Sequence, residues 1–378
     1  MLTTSKMLRT GFVLFCLSFS VCASAQETNF TQFYNLRTAL NPAFVSVPEG
    51  VELVTGYRRH WASLQDGISS AFAGVAIRHC GTALSYGLTV NQIGESTFGY
   101  RVREASFQLG VFVNTSRSSS LHFGMQAGLG SRGIDASRQV FSGQLDPVFG
   151  IVRDNSAFVS VDRASVRTFA MSTGMVWRSQ LDIGGTESPV SAGFSILNLA
   201  GSRDISFQNI QTVLQTRWIA HASVSIPVEE MFSSNAAMYV SPMFRFDRQG
   251  ALRQTFTGCI FQFKSAYLGT VYQHARNPVN ARNTNSLSIA PGLEFELSDG
   301  NHLTIGYSFD MPLSGLGANS TAGSHELTAR FRFEDTCMFG SSNGRGRRGG
   351  GIFGNGKRRG KTKCYQFTGK HFLGFLNG

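Results

Sequence analysis

The sequence predicts an all-β protein, a transmembrane outer-membrane β-barrel of about 14 antiparallel strands. Three observations lead to this prediction: apolar residues alternate with polar ones, the strands are long, and the connections are short after every second strand. The alternation is clear where Leu84, Tyr86, Leu88 and Val90 are separated by small or polar residues. Successive side chains of a strand point to opposite faces, so each such segment has one apolar face.

The same alternation, followed along the chain, predicts every strand of the barrel. The predicted strands are 51–59, 71–78, 83–91, 100–113, 121–130, 169–177, 190–198, 219–226, 238–245, 256–264, 266–272, 287–296, 302–309 and 325–333. Many approach the roughly 9 to 11 residues of a tilted membrane strand, whereas ordinary strands average about 5 to 6 residues. A soluble β-sandwich would also alternate, but strand length and the even number of strands favour the barrel.

Connection lengths give a second indication of the topology, because outer-membrane barrels combine short periplasmic turns with long outer loops. The predicted connections after even-numbered strands are mostly short, as at 79–82 and 264–265. Those after odd-numbered strands are longer, including 131–168, 199–218 and 310–324. Two even-numbered connections, 178–189 and 227–237, are longer than this rule predicts.

The N-terminus has the pattern of an export signal. Lys6 and Arg9 precede the apolar run Gly11–Val21, which is followed by the small residues 23–25. We therefore expect a signal peptide at 1–25 and a mature protein that begins at Gln26. Lipid attachment at Cys22 is a weaker alternative because Val21 is bulky, and a transmembrane anchor would need about 20 apolar residues.

Four regions follow from this division. They are the signal peptide 1–25, an N-terminal periplasmic or plug segment 26–50, the barrel 51–333, and a glycine-rich tail 334–378. We expect an outer-membrane location with both terminal segments in the periplasm.

Positive charge is concentrated in the tail. The formal net charge is +11, yet after the two basic residues of 1–25 and the nine of 340–378 are set aside, 23 basic and 23 acidic residues remain. Export makes nucleic acid an unsuitable partner, so we predict that the tail contacts an acidic protein or an anionic cell-wall polymer. A solvated, disordered extension is the alternative. The predicted contact residues are Arg345, Arg347, Arg348, Lys357, Arg358, Arg359, Lys361 and Lys363.

No recognisable catalytic, metal or cofactor motif occurs in the sequence. The cysteines expected in the mature chain form no Cys-x-x-Cys pair, and although Cys337 and Cys364 flank the basic run, their spacing does not establish a disulfide. We interpret Glu294 and Glu296 as lumen charges that balance arginines. Four histidines are read as residues of the barrel wall or rim: His60, His122, His221 and His302.

Several stretches, taken in order, resemble the PorP/SprF family of type IX secretion system outer-membrane proteins. They include QFYNLRTALNPAFVSVPEG at 32–50, GYRRHWASL at 56–64, SYGLTVNQIGESTFG from Ser85, and the region 291–333 with its Ser-Gly-Leu-Gly loop and His-Glu-Leu strand. The family-motif residues are Asn41, Pro42, Ala43, Tyr57, Arg58, Trp61, Ser314, Gly315, Leu316, Gly317, His325, Glu326 and Leu327.

The resemblance implies a non-catalytic outer-membrane barrel that serves type IX secretion or gliding motility. Its expected partners are outer-membrane lipid, the periplasmic ring of the machine and surface adhesin cargo. The long connection 131–168 and the tail depart from the simpler family pattern. A porin or hydrophobic-substrate transporter is the main alternative, because lumen faces rich in Gly, Ser and Thr suit either an open pore or a barrel filled by 29–48. An outer-membrane hydrolase using His302 or His325 is a weaker one.

Overall fold

The computed structural model describes residues 29–63, 67–79, 81–95, 99–135, 145–146, 150–151, 163–183, 185–199, 215–228, 238–276, 283–297, 301–313 and 321–333. Within them the chain forms fourteen long strands of one antiparallel sheet. In chain order these are β1 Val51–His60, β2 Ile68–Arg78, β3 Leu84–Glu95, β4 Tyr100–Asn114, β5 Ser119–Asp135, β6 Arg163–Ile183, β7 Thr186–Leu197, β8 Arg217–Val224, β9 Met238–Gln249, β10 Leu252–Phe263, β11 Ala266–Arg276, β12 Asn283–Glu296, β13 His302–Pro312 and β14 Ser324–Phe333.

The sheet closes into a ring because its first and last strands pair with each other. Each long strand pairs antiparallel with the next one along the chain. β14 then pairs with β1, from Ser324 opposite His60 to Phe333 opposite Val51. A closed ring has no unpaired edge, which is what β-structure requires in lipid, where water cannot satisfy backbone groups. The predicted fourteen-stranded barrel is therefore confirmed.

Short elements accompany the ring. Ile226–Pro227 continues the pairing with β9 beyond the end of β8, and Leu145–Asp146 pairs with Gly150–Ile151 between β5 and β6. Before β1 lie one helical turn, α1 (Arg37–Leu40), and a 3₁₀ helix (Pro42–Ser46). No helix in the described part of the chain is long and apolar enough to cross a membrane.

The outer face of the ring is apolar, as the alternation predicts. Leu88, Met125 and Leu129 point outward and are 56%, 57% and 70% exposed. Thr89, next to Leu88, and His122, next to the exposed Phe123, point into the interior of the ring, the lumen, and are buried. So large a set of exposed aliphatic and aromatic side chains is typical of a surface that contacts lipid.

The strands β5 and β6 are longer than predicted, and this corrects the assignment of 131–168 to a connection. Ser131 to Asp135 pair with residues 163–167, extending the sheet beyond the predicted boundaries. The sequence hides this extension because the exposed residues Ser131 and Arg167 interrupt the apolar alternation of the outer face. We attribute the interruption to the end of lipid contact, where the apolar requirement on the outer face no longer applies.

Two connections between strands are shorter than the sequence predicts. The connection predicted at 178–189 is only 184–185, because β6 and β7 extend into a tight hairpin. β9 and β10 are joined by 250–251 alone, although a longer segment was expected after an odd-numbered strand. The remaining long even-numbered connection, between β8 and β9, still exceeds the others.

The two rims of the barrel are named by these connections. The turn end carries the short links 79–83, 115–118, 184–185, 264–265 and 297–301. The loop end carries the long links 136–162 and 198–216.

Candidate functional site

The lumen contains the chain's own N-terminal segment, residues 29–50. Nearly all of its residues from Phe30 to Pro48 are buried, including polar ones such as Gln32 and Asn41, which have no exposed surface. Its side chains and backbone contact strands on several sides of the ring. A polar, helix-poor segment buried in this way needs hydrogen-bond partners from the surrounding wall, and the wall provides them.

The segment crosses the lumen from the loop end towards the turn end. Asn29 hydrogen-bonds Arg217, Arg245 and Gln254, which lie near the loop ends of β8, β9 and β10. Near the other rim, Ser46 Oγ lies 2.9 Å from His122 Nδ1, close to the start of β5. The chain then turns back at the turn end to enter β1.

A charged network holds the start of the segment. Glu326 of β14 accepts hydrogen bonds from the backbone N–H groups of Thr31 and Gln32, both at 2.8 Å. Arg58 of β1 donates to Glu326 at 2.8 Å and forms an ion pair with Asp310 of β13. Thr31 Oγ1 completes the network by donating to Asp310 at 2.7 Å.

A second charged group lies at the loop end around Asn29. Asp247 of β9 accepts from Arg217 at 2.6 Å and from Arg245 at 2.5 Å. Both arginines also donate to the Asn29 side chain. Together with the Glu326 network, these contacts place three arginines against three carboxylates around the first residues of the segment.

One side of the segment is apolar. Its residues Phe33, Tyr34 and Phe44 pack with inward side chains of five strands, and the Phe33 and Phe256 rings are 6.1 Å apart. The wall residues of this cluster are Val176, Ile219, Met243, Phe256, Ile260, Tyr267 and Val271. Burying each large apolar side chain stabilises the folded state by roughly 1.5–3 kcal/mol. This face therefore anchors the segment to the wall.

The predicted family motif Asn41-Pro42-Ala43 lies in the middle of the lumen. Asn41 Nδ2 donates to the carbonyl oxygens of Met175 at 3.0 Å and Phe194 at 3.2 Å, and lies 3.2 Å from His221 Nε2. Its Oδ1 accepts from the Ala43 N–H at 2.9 Å and thereby caps the 3₁₀ helix that Pro42 begins. The motif therefore ties the segment to β6, β7 and β8.

Glycines of the wall make room for the segment. A Cβ atom at Gly56 would lie 2.6 Å from Leu36 Cδ1, and one at Gly110 would lie 2.5 Å from Val45 Cγ1. At Gly124 it would collide with the backbone of Pro42 and Ala43. Gly56, Gly110 and Gly124 lie on three different strands, β1, β4 and β5, so the groove that they form exists only in the closed ring.

Two ion pairs lie at the turn end of the lumen. Arg37 of the segment pairs with Glu52 of β1 at 3.2 Å, and Arg332 of β14 pairs with Glu294 of β12 at 3.3 Å. Arg330, which is 1% exposed, is buried beside them. The prediction that Glu294 balances lumen arginines agrees with this arrangement, whereas Glu296 is exposed near the rim.

A cavity of about 90 Å³ remains in the lumen beside the segment. Residues of the segment and of the strands β2 to β8 line it. Its lining mixes apolar side chains such as Phe72 and Val102 with the charged groups of Glu104, Arg132 and Arg217. Ala39, the exposed residue of α1, also lines it. The segment thus occupies most of the lumen but does not fill this part of it.

The predicted motif residues do not all lie together. Arg58 and Glu326 meet in the network described above, but Tyr57 and Leu327 point outward and are 50% and 54% exposed. Trp61 follows β1 at the loop end, and His325 points outward, 2.6 Å from Tyr307 Oη. The predicted residues Ser314, Gly315, Leu316 and Gly317 and the tail lie outside the described residues.

Several site residues escaped the sequence analysis: Thr31, Gln32, Asn35 and Asp310. Asn35 Nδ2 donates to Thr328 at 2.9 Å and to Tyr267 at 3.2 Å. The only sequence signal for Asp310 was its place on the polar face of an alternating strand. Its partner Arg58 is more than two hundred residues away in the chain.

The histidines proposed for a hydrolase do not form a common centre. His302 of β13 points into the lumen, 3.8 Å from Glu294, whereas His325 of β14 points outward. Within the described ranges no group of three His, Cys, Asp or Glu side chains is placed to hold a metal ion.

Solved structures with similar folds are barrels of several kinds. The monoaromatic hydrocarbon channel CymD has 13% identity and a TM-score of 0.42, with 79% of this chain and 93% of that chain covered. The toluene transporter TbuX of Ralstonia pickettii has 10% identity and a TM-score of 0.40, covering 79% and 94%. The β domain of the Bordetella autotransporter BrkA has 9% identity and a TM-score of 0.38, covering 75% and 98%. Scores this low carry no argument about function.

Family membership comes from the sequence. No curated protein has a sequence that matches this chain. The family model described as type IX secretion system membrane protein PorP/SprF matches residues 23–331, which include the internal segment and nearly the whole ring of strands. The chain therefore belongs to the PorP/SprF family of type IX secretion system membrane proteins.

Proposed function

We propose that this protein is a non-catalytic platform of the type IX secretion and gliding machinery in the outer membrane. In this role the barrel binds periplasmic ring components, surface adhesin cargo, or both. The observation that carries the proposal is the internal segment, which is buried and bonded to the wall from Asn29 to Ser46. A rigid barrel filled by its own chain suits binding at its rims better than diffusion through its centre.

Mild-detergent affinity purification from the native membrane tests the partners directly. We expect periplasmic ring proteins, an adhesin, or both to be recovered with the barrel. A matched bait, an unrelated outer-membrane barrel carrying the same affinity tag, controls for membrane contamination. Recovery of the same proteins with both baits would contradict the platform proposal.

The main alternative is a porin or hydrophobic-substrate transporter, and the residual cavity of about 90 Å³ is the observation that favours it. Planar bilayer recordings separate the two functions. We expect the purified protein to show no large, steady single-channel current, because the segment occupies the lumen. A general porin reconstituted in the same lipid gives the positive control, and steady currents of similar size from this protein would overturn the platform proposal.

The segment's path supports a second proposal, on the side of the membrane that its first residues face. Asn29 bonds to Arg217 and Arg245 at the end of the ring that carries the long connections. Because long connections face outward in outer-membrane barrels, we propose that the segment's first residues face the cell exterior. An epitope inserted after Gln26 should be labelled by antibody on intact cells; labelling only after permeabilisation would contradict this.

The tail is proposed to lie in the periplasm and to contact an acidic protein or an anionic cell-wall polymer. It follows β14, which ends at the turn end of the barrel, and its positive charge is the feature that supports the contact. A variant with the eight basic residues of 345–363 changed to Gln keeps the tail's length and should recover less ring protein or peptidoglycan. If this variant and a deletion of 340–378 both recover as much ring protein and peptidoglycan as the wild type, the tail has no binding role.

The hydrolase alternative is tested separately. Lipase and protease assays on the folded protein should give no activity above a heat-unfolded sample. Activity that is lost in His302→Ala or His325→Ala would contradict the non-catalytic proposal.

A further inference from the structure

Three arginines on neighbouring strands form a row on the outer face of the barrel, close to the loop end. Arg248 of β9 lies directly opposite Arg253 of β10, and Arg253 lies directly opposite Arg276 of β11. All three are exposed, whereas the adjacent residues Gln254 and Ala275 are buried. The three guanidinium groups therefore lie outside the lumen, and these residues are called the arginine row below.

The described part of the protein supplies no counter-charge to the arginine row. Within the described ranges, the side chains of Arg253 and Arg276 form no ion pair or hydrogen bond, and Arg248 Nε contacts the Gly250 carbonyl at 3.5 Å. The sequence from Arg248 to Leu293 contains no aspartate or glutamate. Like charges directly opposite each other destabilise a sheet. An anion from outside the chain would remove this repulsion.

Aromatic neighbours place the arginine row at the edge of the lipid-facing surface. Trp218 of β8 lies directly opposite Arg248 and is exposed on the same outer face. Phe244 and Tyr272, also exposed, lie on β9 and β11 four residues further from the loop end than Arg248 and Arg276. Tryptophan and tyrosine are enriched at the level of the lipid headgroups, on either side of the apolar band of a barrel. The arginine row therefore lies where headgroups and barrel meet.

We propose that the arginine row binds the phosphate groups of lipopolysaccharide, the phosphorylated glycolipid of the outer leaflet. Guanidinium groups donate paired hydrogen bonds to phosphate oxygens, and strands about 4.8 Å apart bring two neighbouring arginines within reach of one phosphate. A lipid fits better than a soluble anion because its acyl chains can lie against Phe244 and Tyr272 while its headgroup meets the arginines. The choice of leaflet rests on the proposed outward direction of the loop end, which the epitope experiment tests separately.

Titration of the folded full-length protein with lipid A in mixed micelles, followed by native mass spectrometry, tests the site in either orientation of the barrel. The triple change Arg248→Gln, Arg253→Gln and Arg276→Gln should raise the Kd for lipid A by at least about tenfold, because each basic residue near a lipid surface contributes to anionic-lipid binding. The single change Arg253→Gln should raise it by about fivefold. Lipid A from which the phosphates have been removed should bind the wild type and the triple variant equally weakly.

A second triple variant is the matched control for charge. Arg101, Arg103 and Arg167 are exposed near the same rim, but Arg103 and Arg167 are separated by Ser131, which pairs with both. Changing these three to Gln removes the same charge without touching the arginine row, so most of the lipid A affinity should remain. Heat-modifiability gels verify that each variant is folded.

Three results would overturn the proposal. They are an equal loss of lipid A affinity in both triple variants, which indicates general charge attraction, an unchanged affinity in the arginine-row variant, and displacement of lipid A by an equimolar amount of inorganic phosphate, which assigns the row to a soluble anion.

Discussion

The two ends of the lumen hold the same segment by different charge arrangements. At the loop end, Arg58, Arg217 and Arg245 face Asp247, Asp310 and Glu326, so charges balance. At the turn end, the described ion pairs are Arg37 with Glu52 and Arg332 with Glu294, and each joins one arginine to one carboxylate. Balanced buried charges depend on every member, because removing one leaves its partner uncompensated. At the turn end, Glu52 has electrostatic contacts with Arg37, Arg178 and Arg330, so the loss of one of them leaves it compensated.

The largest expected effect comes from breaking the balanced end. Glu326→Ala removes the acceptor of two backbone N–H groups and leaves Arg58 with one carboxylate. We expect a loss of about 3–5 kcal/mol in the free energy of unfolding, measured by urea unfolding in phospholipid vesicles with tryptophan fluorescence. Glu296→Ala, an exposed glutamate near the other rim, is the control. Equal stability of the two variants would contradict the importance of the network.

A smaller effect is expected at the centre of the lumen. Asn41→Ala removes hydrogen bonds to the Met175 and Phe194 carbonyls and the cap of the 3₁₀ helix. Each buried group left unsatisfied costs about 1–3 kcal/mol, so we expect a total loss of roughly 2–3 kcal/mol in the same unfolding assay. Asn114→Ala, at an exposed position, should leave the stability unchanged. If Asn41→Ala is as stable as Asn114→Ala, the Asn41-Pro42-Ala43 motif does not hold the segment in the lumen.

A smaller loss of stability is expected where the segment packs tightly against Gly124 of the wall. Gly124→Ala places a methyl group against the backbone of Pro42 and Ala43, which cannot move aside as a flexible side chain would. We expect destabilisation of about 1–3 kcal/mol, visible as unfolding at lower temperature in heat-modifiability gels. Gly94→Ala is matched in chemistry but meets Ser69 Oγ at an ordinary 3.5 Å. If both variants unfold at one temperature, the segment does not pack against β5 as described.

The smallest effect is expected at the turn end, and it sharpens the comparison. Arg37→Met removes one partner of Glu52, which keeps electrostatic contacts with Arg178 and Arg330, so its free energy of unfolding should stay within about 1 kcal/mol of the wild type. Urea unfolding checks this beside Glu326→Ala. A loss as large as that of Glu326→Ala would show that both ends depend on balanced charge.

The sequence was sufficient to predict the wall of the barrel because lipid imposes a regular demand. One side chain in two must be apolar, and this requirement is visible locally, as in the run from Leu84 to Val90. At Ser131 to Asp135 the outer face no longer needs apolar side chains, so the strand continues without the apolar alternation. The sequence analysis therefore placed the end of this strand too early.

The filling of the lumen could not be predicted in the same way. The contacts of Asn41 depend on strands more than a hundred residues away, and the groove depends on glycines such as Gly56 and Gly124 from different strands. Only closure of the ring brings these residues together. The sequence allowed either a filled or an open lumen, and it gave no indication of the direction in which the segment runs.

The segment also contacts the closing seam between β1 and β14. The segment immediately precedes β1, and its Thr31 and Gln32 N–H groups bind Glu326 of β14. The first residues of the segment thus connect the last strand to the first, while Arg58 contributes the same connection from β1. The segment therefore bridges the seam from inside the lumen, so the closure of the ring and the burial of the segment stabilise each other.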